Sequence, residues 1–502
     1  MSSAYRFLLI ILLSFALGCR ESVRNSEVIH GMIGLPSALM PSVDNDLDAV
    51  QIYSQIYETL LVLGRDFKTL KPHLCLSWEM DSLGKSFTFR LRRGIVFHDG
   101  SKLNAAAVKY SVDWLKKTNP NNAVLNNIQA VKVYDDSVFA VILKEARPAF
   151  IYAAASPSAF PLISPSAIKK YGKAIARNPV GSGPFKLYKW RNGDKIILKK
   201  NCSWWKSDVN INHIIFKGFD NYKQIEENLK SNHTDIAYAI SGYSLDRLKW
   251  MGKINYAVNK PISTIFIGFN LKNEILSKKS LRKALVLSLN TQKIVNFINR
   301  GNADISNNPL PKILRQDSVD YPIQFNPALA REILIKEGYK NGLTLNLYYP
   351  KNFFTRQTYI EAVKTAFKKV GITLNITAFD SWIELERAMK SNSSQIFIYG
   401  WGAEILGDAG NFLQTLFYSS SKRNFFHYHN KYIDKILDKA LLEPDKSRRA
   451  DYYKKAVQLI MEDIPAVFLM HVKEFYAYNK EKIKSVTISP YGTVRYDKII
   501  LR

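Results

Sequence analysis

Between residues 327 and 401 the apolar pattern switches repeatedly between two periods, and that alternation constrains the fold more than any other feature of the chain. PALAREILIKEGY (327–339) opens with proline at a first-turn position and stops at Gly338, the punctuation of a helix. LTLNLYYP (343–350) reads as a strand, residues 355–370 as a helix ending at Gly371, and ITLNITAF (372–379) as a returning strand. IFIYGW (396–401) is an apolar run of the kind a strand shows when both of its faces are buried. Strand, helix and strand in succession predict a mixed α/β architecture. The 502 residues, 47% of them hydrophobic, suffice for two or three such domains, and no Pro- or Ser-rich linker divides them.

The rest of the chain is consistent with this class. LDAVQIYSQIYETLLVLGR (47–65) spaces its apolar residues as a helix running into a strand. In SFTFRLRRG, Phe87, Phe89 and Leu91 alternate with polar neighbours, as in a half-buried strand. Asp99-Gly100 makes a turn, Asn104 is placed to cap a helix, and Val108, Val112 and Leu115 form its apolar stripe. Residues 179–201 predict a strand, an Asn192-Gly193 turn and a second strand. Residues 280–299 read as one helix, with Leu281, Ala284, Leu285 and Leu289 in register.

The N-terminus bears on compartment. Arg6 is followed by eleven apolar or small residues, Phe7 to Leu17, then Gly18 and Cys19. This is the layout of a secretory signal over residues 1–18, and eleven residues are too few to cross a bilayer core of about 30 Å. ALGC resembles a bacterial lipoprotein cleavage box, with Cys19 as the lipidated residue and Ala16 where Leu is commoner. The expected location is the periplasm or the outer face of the cytoplasmic membrane, reached by a lipid anchor. Cys75 and Cys202 remain after such processing and could pair in an oxidising compartment. The formal net charge of +28 raises the question of nucleic acid, but the lysines are spread along the chain without a basic block, and an export signal argues against it. An anionic membrane surface or acidic ligands fit better.

No motif announces chemistry. Gly181-Ser182-Gly183 precedes Pro184 and is a tight turn, not a nucleophile elbow. Asp44, Asp46 and Asp48 have the spacing of a calcium loop's start without its later glycine and glutamate. His427 and His429 could share a strand face, but no third ligand is near, so no metal and no cofactor are expected. A hydrolase built on His98-Asp99 is disfavoured because adjacent side chains in extended backbone point to opposite faces.

IYETLLVLGRDFKTLKPHLCLSWEMDSLGKSFTFRLRRGIVFHDGSKLNAAAVKYSVDWL resembles the most distinctive region of the peptide-binding family of transporter solute receptors, family 5. These are the oligopeptide-, dipeptide- and nickel-binding proteins of bacterial ABC importers. The resemblance runs through Tyr57-Glu58-Thr59-Leu60 (Thr59 in place of glycine), Pro72 to Trp78 and Thr88 to Gly100. It continues in PVGSGPFKLYKW, Asn201 with Trp204-Trp205, IFIGFNLKN, SLRKALVLSLN, IYGWGAE and EDIPAVFLMHV, so it covers nearly the whole chain past the signal.

The resemblance implies a periplasmic-binding-protein-like α/β fold of two lobes closing on a ligand, with an extra domain inserted in the first. Lobe I would comprise 20–45, 180–259 and 478–502, the insert 46–179, and lobe II 260–477, with a hinge near 260 and 477. It implies a monomeric binding protein, not an enzyme, that captures short peptides and delivers them to an ABC permease of the inner membrane. Glutathione, a metal chelate or haem are the alternative ligands. Carried over by position, Glu404 after Gly400-Trp401 would pair with a peptide's α-ammonium, and Trp401 and Trp382 would line side-chain pockets. Asn45, Asp46 and Leu47 match a strand that gives backbone hydrogen bonds to the peptide. Ile398 stands where the oligopeptide receptors carry an arginine for the carboxylate end, which puts that anchoring in doubt.

Overall fold

Strand Glu27–Ile33 is the seam of the first sheet, parallel to His213–Phe219 on one side and to Ile236–Tyr238 on the other. The computed structural model describes residues 26–502 except 42, 44–45, 120–121, 207–208, 239–241, 251, 301, 316–320, 322–323, 352–355, 392 and 404. Around the seam seven strands run in the order 254–259, 474–479, 236–238, 27–33, 213–219, 195–200, 185–191. A second sheet of six strands runs 303–305, 466–472, 263–269, 396–402, 343–350, 372–379. A separate antiparallel sheet of four strands, 75–80, 86–91, 138–143 and 128–133, lies in the stretch between Ile33 and Phe185.

The alternations behave as periodicity requires. Phe87, Phe89 and Leu91 point into the core at 0–1% exposure, and helix Ala105–Thr118 lays Val108, Val112 and Leu115 against the same core. Burying each such side chain contributes roughly 1.5–3 kcal/mol. Asn104 caps that helix, its side chain accepting from the Ala107 N–H at 3.0 Å. The Asn192-Gly193 hairpin forms between Phe185–Arg191 and Lys195–Lys200, with Gly193 at φ +72°. Strand Ile396–Gly402 is paired on both sides and buried on both faces along most of its length.

Two expectations change. Residues 280–299 form two helices, Lys279–Leu287 and Thr291–Asn299, because Asn290 accepts from the Lys293 N–H at 2.9 Å and starts a new helix instead of continuing the old one. Cys75 is a free, buried thiol, pushed up to about 12 by burial, so it does not pair with Cys202.

The chain passes between the two large sheets twice, at 260–262 and at Lys473. These crossings are neighbours: Asn259 is opposite Glu474 where the first sheet ends, and Thr264 is opposite His471 where the second begins. Among the described residues no helix is long and apolar enough to cross a membrane.

Candidate functional site

Strand Ile396–Gly402 places alternate side chains on opposite faces of the second sheet. Ile396 and Ile398 pack into that sheet's own core with Ile265, Ile267 and Leu469, while Phe397, Tyr399 and Trp401 join the large cluster that also holds residues of the first sheet and of the four-stranded sheet. Ile398 therefore sits in dry core in this chain, 3% exposed. A guanidinium there would be desolvated without a partner, which the aliphatic residue avoids.

The face bearing Tyr399 and Trp401 is where polar groups collect. Trp401 is 7% exposed, its ring lies under the Arg423 guanidinium at 5.0 Å, and its buried Nε1 has no hydrogen-bond partner among the described residues. A buried indole N–H without an acceptor is uncommon and marks a place where an acceptor belongs. The Tyr399 hydroxyl donates to Glu386 Oε1 at 2.7 Å, and its ring meets Phe425 edge-on at 5.5 Å. Burial, then the Glu386 charge, pushes the Tyr399 phenol well up, with Arg423 pulling it down and Asp46 adding to the rise. Asp46 and Arg423 thus both act on one buried hydroxyl, although Asp46 belongs to the first part of the chain and the others to the second sheet. Asp46 is open to solvent, yet enough protein surrounds its carboxyl for burial to raise it above the ordinary carboxylate range.

Asp46 is carried by the start of helix Leu47–Tyr53, which is fastened to the first sheet. Asp48 accepts from the Tyr238 hydroxyl, and Gln51 bonds the C-terminal segment twice, donating to Gly492 O at 2.5 Å and accepting from the Val494 N–H at 3.0 Å. Leu47 is the first residue of this helix and not part of a strand, so it offers helical rather than extended backbone. Gly400 is half-buried in the strand beside Trp401. Trp382 opens helix Trp382–Met389, which carries Glu386 to Tyr399; its side chain lies outside the described part of the structure. Glu404, Asn45 and Cys19 also lie outside the described residues.

A second polar knot ties residues 58 and 73 to the 182–206 stretch. Glu58 is buried and takes hydrogen bonds from Ser182 (2.8 Å) and from the indoles of Trp204 (3.1 Å) and Trp205 (3.0 Å), with His73 Nε2 at 3.1 Å. Lys206 donates to the other nitrogen of His73 at 2.8 Å, which leaves Nε2 to carry the proton toward Glu58. Burial pushes the Glu58 carboxyl up, but the bonds from His73, Trp204 and Ser182 outweigh it and hold it below the ordinary range. Glu58 lies within the Tyr57-Glu58-Thr59-Leu60 resemblance, and of its partners His73 is near in sequence while Ser182, Trp204 and Trp205 are 124 to 147 residues on.

His98 and Asp99 are not a dyad. His98 Nε2 faces Gly183 O at 3.0 Å and burial lowers the ring to about 4, whereas Asp99 accepts from Ser101 and Ser164. Among the described residues no three His, Cys, Asp or Glu side chains gather as a metal site, and His427 and His429 lie in a loop.

Comparison with known proteins agrees with this architecture. A profile of the bacterial extracellular solute-binding proteins, family 5, matches residues 69–424. The chain is 28% identical over 468 residues to the glutathione-binding protein GsiB of Pectobacterium atrosepticum, covering 90% of each. The dipeptide-binding protein of Pseudoalteromonas sp. SM9913, solved with Met-Leu, superposes with TM-score 0.85 at 21% identity over 95% of this chain and 100% of that one. NikA of Brucella suis, solved with Fe(III)-EDTA, gives TM-score 0.86 at 20% identity, again over 95% and 100%. Both structures show the same two-lobe fold.

Proposed function

The chain belongs to the bacterial extracellular solute-binding proteins of family 5, and from that premise we propose that it captures short peptides between two closing bodies and hands them to an ABC importer. The observation that carries the reading is the convergence at Tyr399: an arginine stacked on Trp401, a carboxylate at Asp46 and an unpartnered buried indole N–H. A short peptide presents the complement, a terminal carboxylate, a terminal ammonium and an apolar or aromatic side chain. Arg423 then takes the role for which Ile398 is unsuited, binding a ligand carboxylate in bidentate geometry while the indole supports its flat face. Glu404 is assigned to the ammonium, with Asp46 the second acid at the same end. Trp401 and Trp382 form side-chain pockets, Gly400 leaves room beside them, and Asn45 and Asp46 give backbone contacts from the opposite side.

In this reading 46–179 is the inserted domain, lobe I takes 20–45, 180–259 and 478–502, and lobe II takes 260–477. The hinge is the pair of adjacent crossings at 260–262 and Lys473, so closure needs few backbone changes. Cys19 carries an acyl anchor that keeps the receptor beside its permease. Purified protein should show a ligand-dependent rise in melting temperature across a short-peptide library. A flat response across the whole library would refute the peptide reading.

Glutathione is the second reading, favoured by the relative that matches 90% of the chain end to end. It is itself a small peptide with one ammonium and two carboxylates, a composition suited to a chain of net charge +28. Native mass spectrometry of the protein as isolated separates the two, because a retained ligand of single defined mass marks glutathione and a spread of masses marks peptides.

A further inference from the structure

The hairpin at the edge of the first sheet has two unlike faces. On the inner face Phe185, Ile196, Leu198, Ile214 and Phe216 are buried. On the outer face the ladder registers align Lys186 with Lys199 and His213, and Arg191 with Lys195 and Lys217. Lys189 falls between these rows, and none of the six cations is buried. Tyr188, 58% exposed, lies flat among them, with the Lys199 ammonium 5.0 Å from its ring. The acids at hand are Glu27, 3.4 Å from His213, and Asp194, shared at 3.9–4.0 Å by Arg191 and Lys195. Lys186 and Lys199 face each other without a carboxylate between them, and Lys186 is lowered by burial and then by its neighbour's charge. Lysines on an edge strand alone would serve to block strand addition. Here the charge continues over the second and third strands, where edge protection has no use for it. The far end of the same face is covered, since Ile225 of helix Tyr222–Lys230 packs over Gly31.

The chain enters the sheet at this corner. Ser26 O accepts from the Asn212 N–H at 2.7 Å, and Asn212 O accepts from Lys200 N at 2.8 Å. Six residues lie between Cys19 and Ser26, so the seven steps reach about 25 Å at most. We propose that the outer face of the 185–219 corner, with Lys186, Lys189, Arg191, Lys195, Lys199 and Lys217 around Tyr188, docks on an anionic phospholipid surface. The orientation it sets, with the edge of lobe I toward the bilayer, rests on the proposed anchor at Cys19, whereas the affinity of the face for anionic lipid does not. A basic patch beside a short tether is a second membrane signal of the kind that single anchors need.

The test is partition of the full chain into phosphatidylcholine vesicles and into mixed phosphatidylcholine–phosphatidylglycerol vesicles. Acyl chains and the apolar N-terminal segment favour both vesicles alike, so the ratio of the two partition coefficients reads the face. Changing Lys186, Lys189, Lys195 and Lys199 together to Gln should lower that ratio roughly ten- to hundredfold. Removing the same charge from exposed Lys431, Lys435, Lys439 and Lys454 should leave the ratio near that of the unmodified chain. An equal fall in both variants, or a ratio near one for the unmodified chain, overturns the proposal. A single variant, Lys186→Gln, should give a partial fall and guards against misfolding of the fourfold change. Loss of binding to the neutral vesicles alone would instead count against the lipid anchor.

Discussion

Glu474 stands at the point where both crossings leave the first sheet, and its titration should be readable in stability. Its carboxyl accepts from Asn259 Nδ2 and from the Tyr476 hydroxyl, each at 3.3 Å, and lies close against Gly492. Burial pushes the acid from 4.5 up to about 7, and the two hydrogen bonds reverse only part of that. The neighbouring cations are turned elsewhere: Lys473 pairs with Asp304 at 2.9 Å, and Lys260 lies over Phe67. A raised folded value means that the native protein holds its proton where the unfolded chain has released it. Stability from this group is therefore complete below pH 4.5 and lost as pH rises through 7. With 1.36 kcal/mol per pH unit, the loss between pH 5 and pH 8 is about 2–3 kcal/mol. Glu474→Gln keeps the shape of the protonated acid and removes the titration. Urea unfolding of both proteins at pH 5 and pH 8 gives the measurement, and other titrating groups cancel in the difference. The variant should gain about 2–3 kcal/mol on the wild type between the two pH values. Parallel pH profiles would show that the carboxyl is solvated and that the burial argument for this hinge is wrong.

Arg423→Ala should weaken binding of the best peptide by tenfold or more, and Arg423→Lys should recover only part of it, because a lysine keeps the charge but not the flat, bidentate head; calorimetric titration reads both, and wild-type affinity in the alanine variant would remove Arg423 from the site. His30, 0% exposed and lowered by burial to about 3, and His98, lowered to about 4, are neutral in the fold and charge on unfolding, so each should cost about 2 kcal/mol of stability as pH falls from 7 to 5. His98→Gln should flatten that acid limb in urea titrations, and an unchanged slope would contradict it. Glu58→Ala leaves two half-buried indole donors and a buried hydroxyl without their acceptor and should cost about 3–5 kcal/mol, seen as a lowered urea midpoint; a loss below ~1 kcal/mol would mean that water replaces the carboxylate.

How much of this was legible before the coordinates depends on whether a feature is local. The strand pairs 343–350 and 372–379, the helix capped by Asn104 and the hairpin at Asn192-Gly193 are each written within about twenty residues, in apolar period and turn chemistry, and each forms as expected. The split of 280–299 was missed because the apolar register continues across Leu289 while the cap at Asn290 interrupts it. Trp401 was findable from its motif. Arg423 was not: it lies in SSSKRN, a polar loop with no period, and gains meaning only when that loop folds back over the strand. Ile398 made the point in reverse, since its departure suggested a missing charge until its side chain was seen to face the second sheet's own core.

Asp46 explains why no window of sequence could contain the site. Its charge acts on Tyr399 across two sheets: helix Leu47–Tyr53 is fixed to the first through Asp48 and Gln51, while Tyr399 rides on the second. Gln51 bonds Gly492 O, Tyr476 bonds the same oxygen, and Tyr476 also bonds Glu474 at the crossing. Glu474 at the crossing and Gln51 on the helix that follows Asp46 are thus three hydrogen bonds apart, although more than four hundred residues separate them in the chain. If that connection transmits strain, Glu474→Gln should shift the pH dependence of peptide affinity as well as that of unfolding, whereas Lys473→Gln, which loses only the surface pair with Asp304, should leave both profiles in place. A change in unfolding without a change in the affinity profile would confine Glu474 to the stability of the hinge.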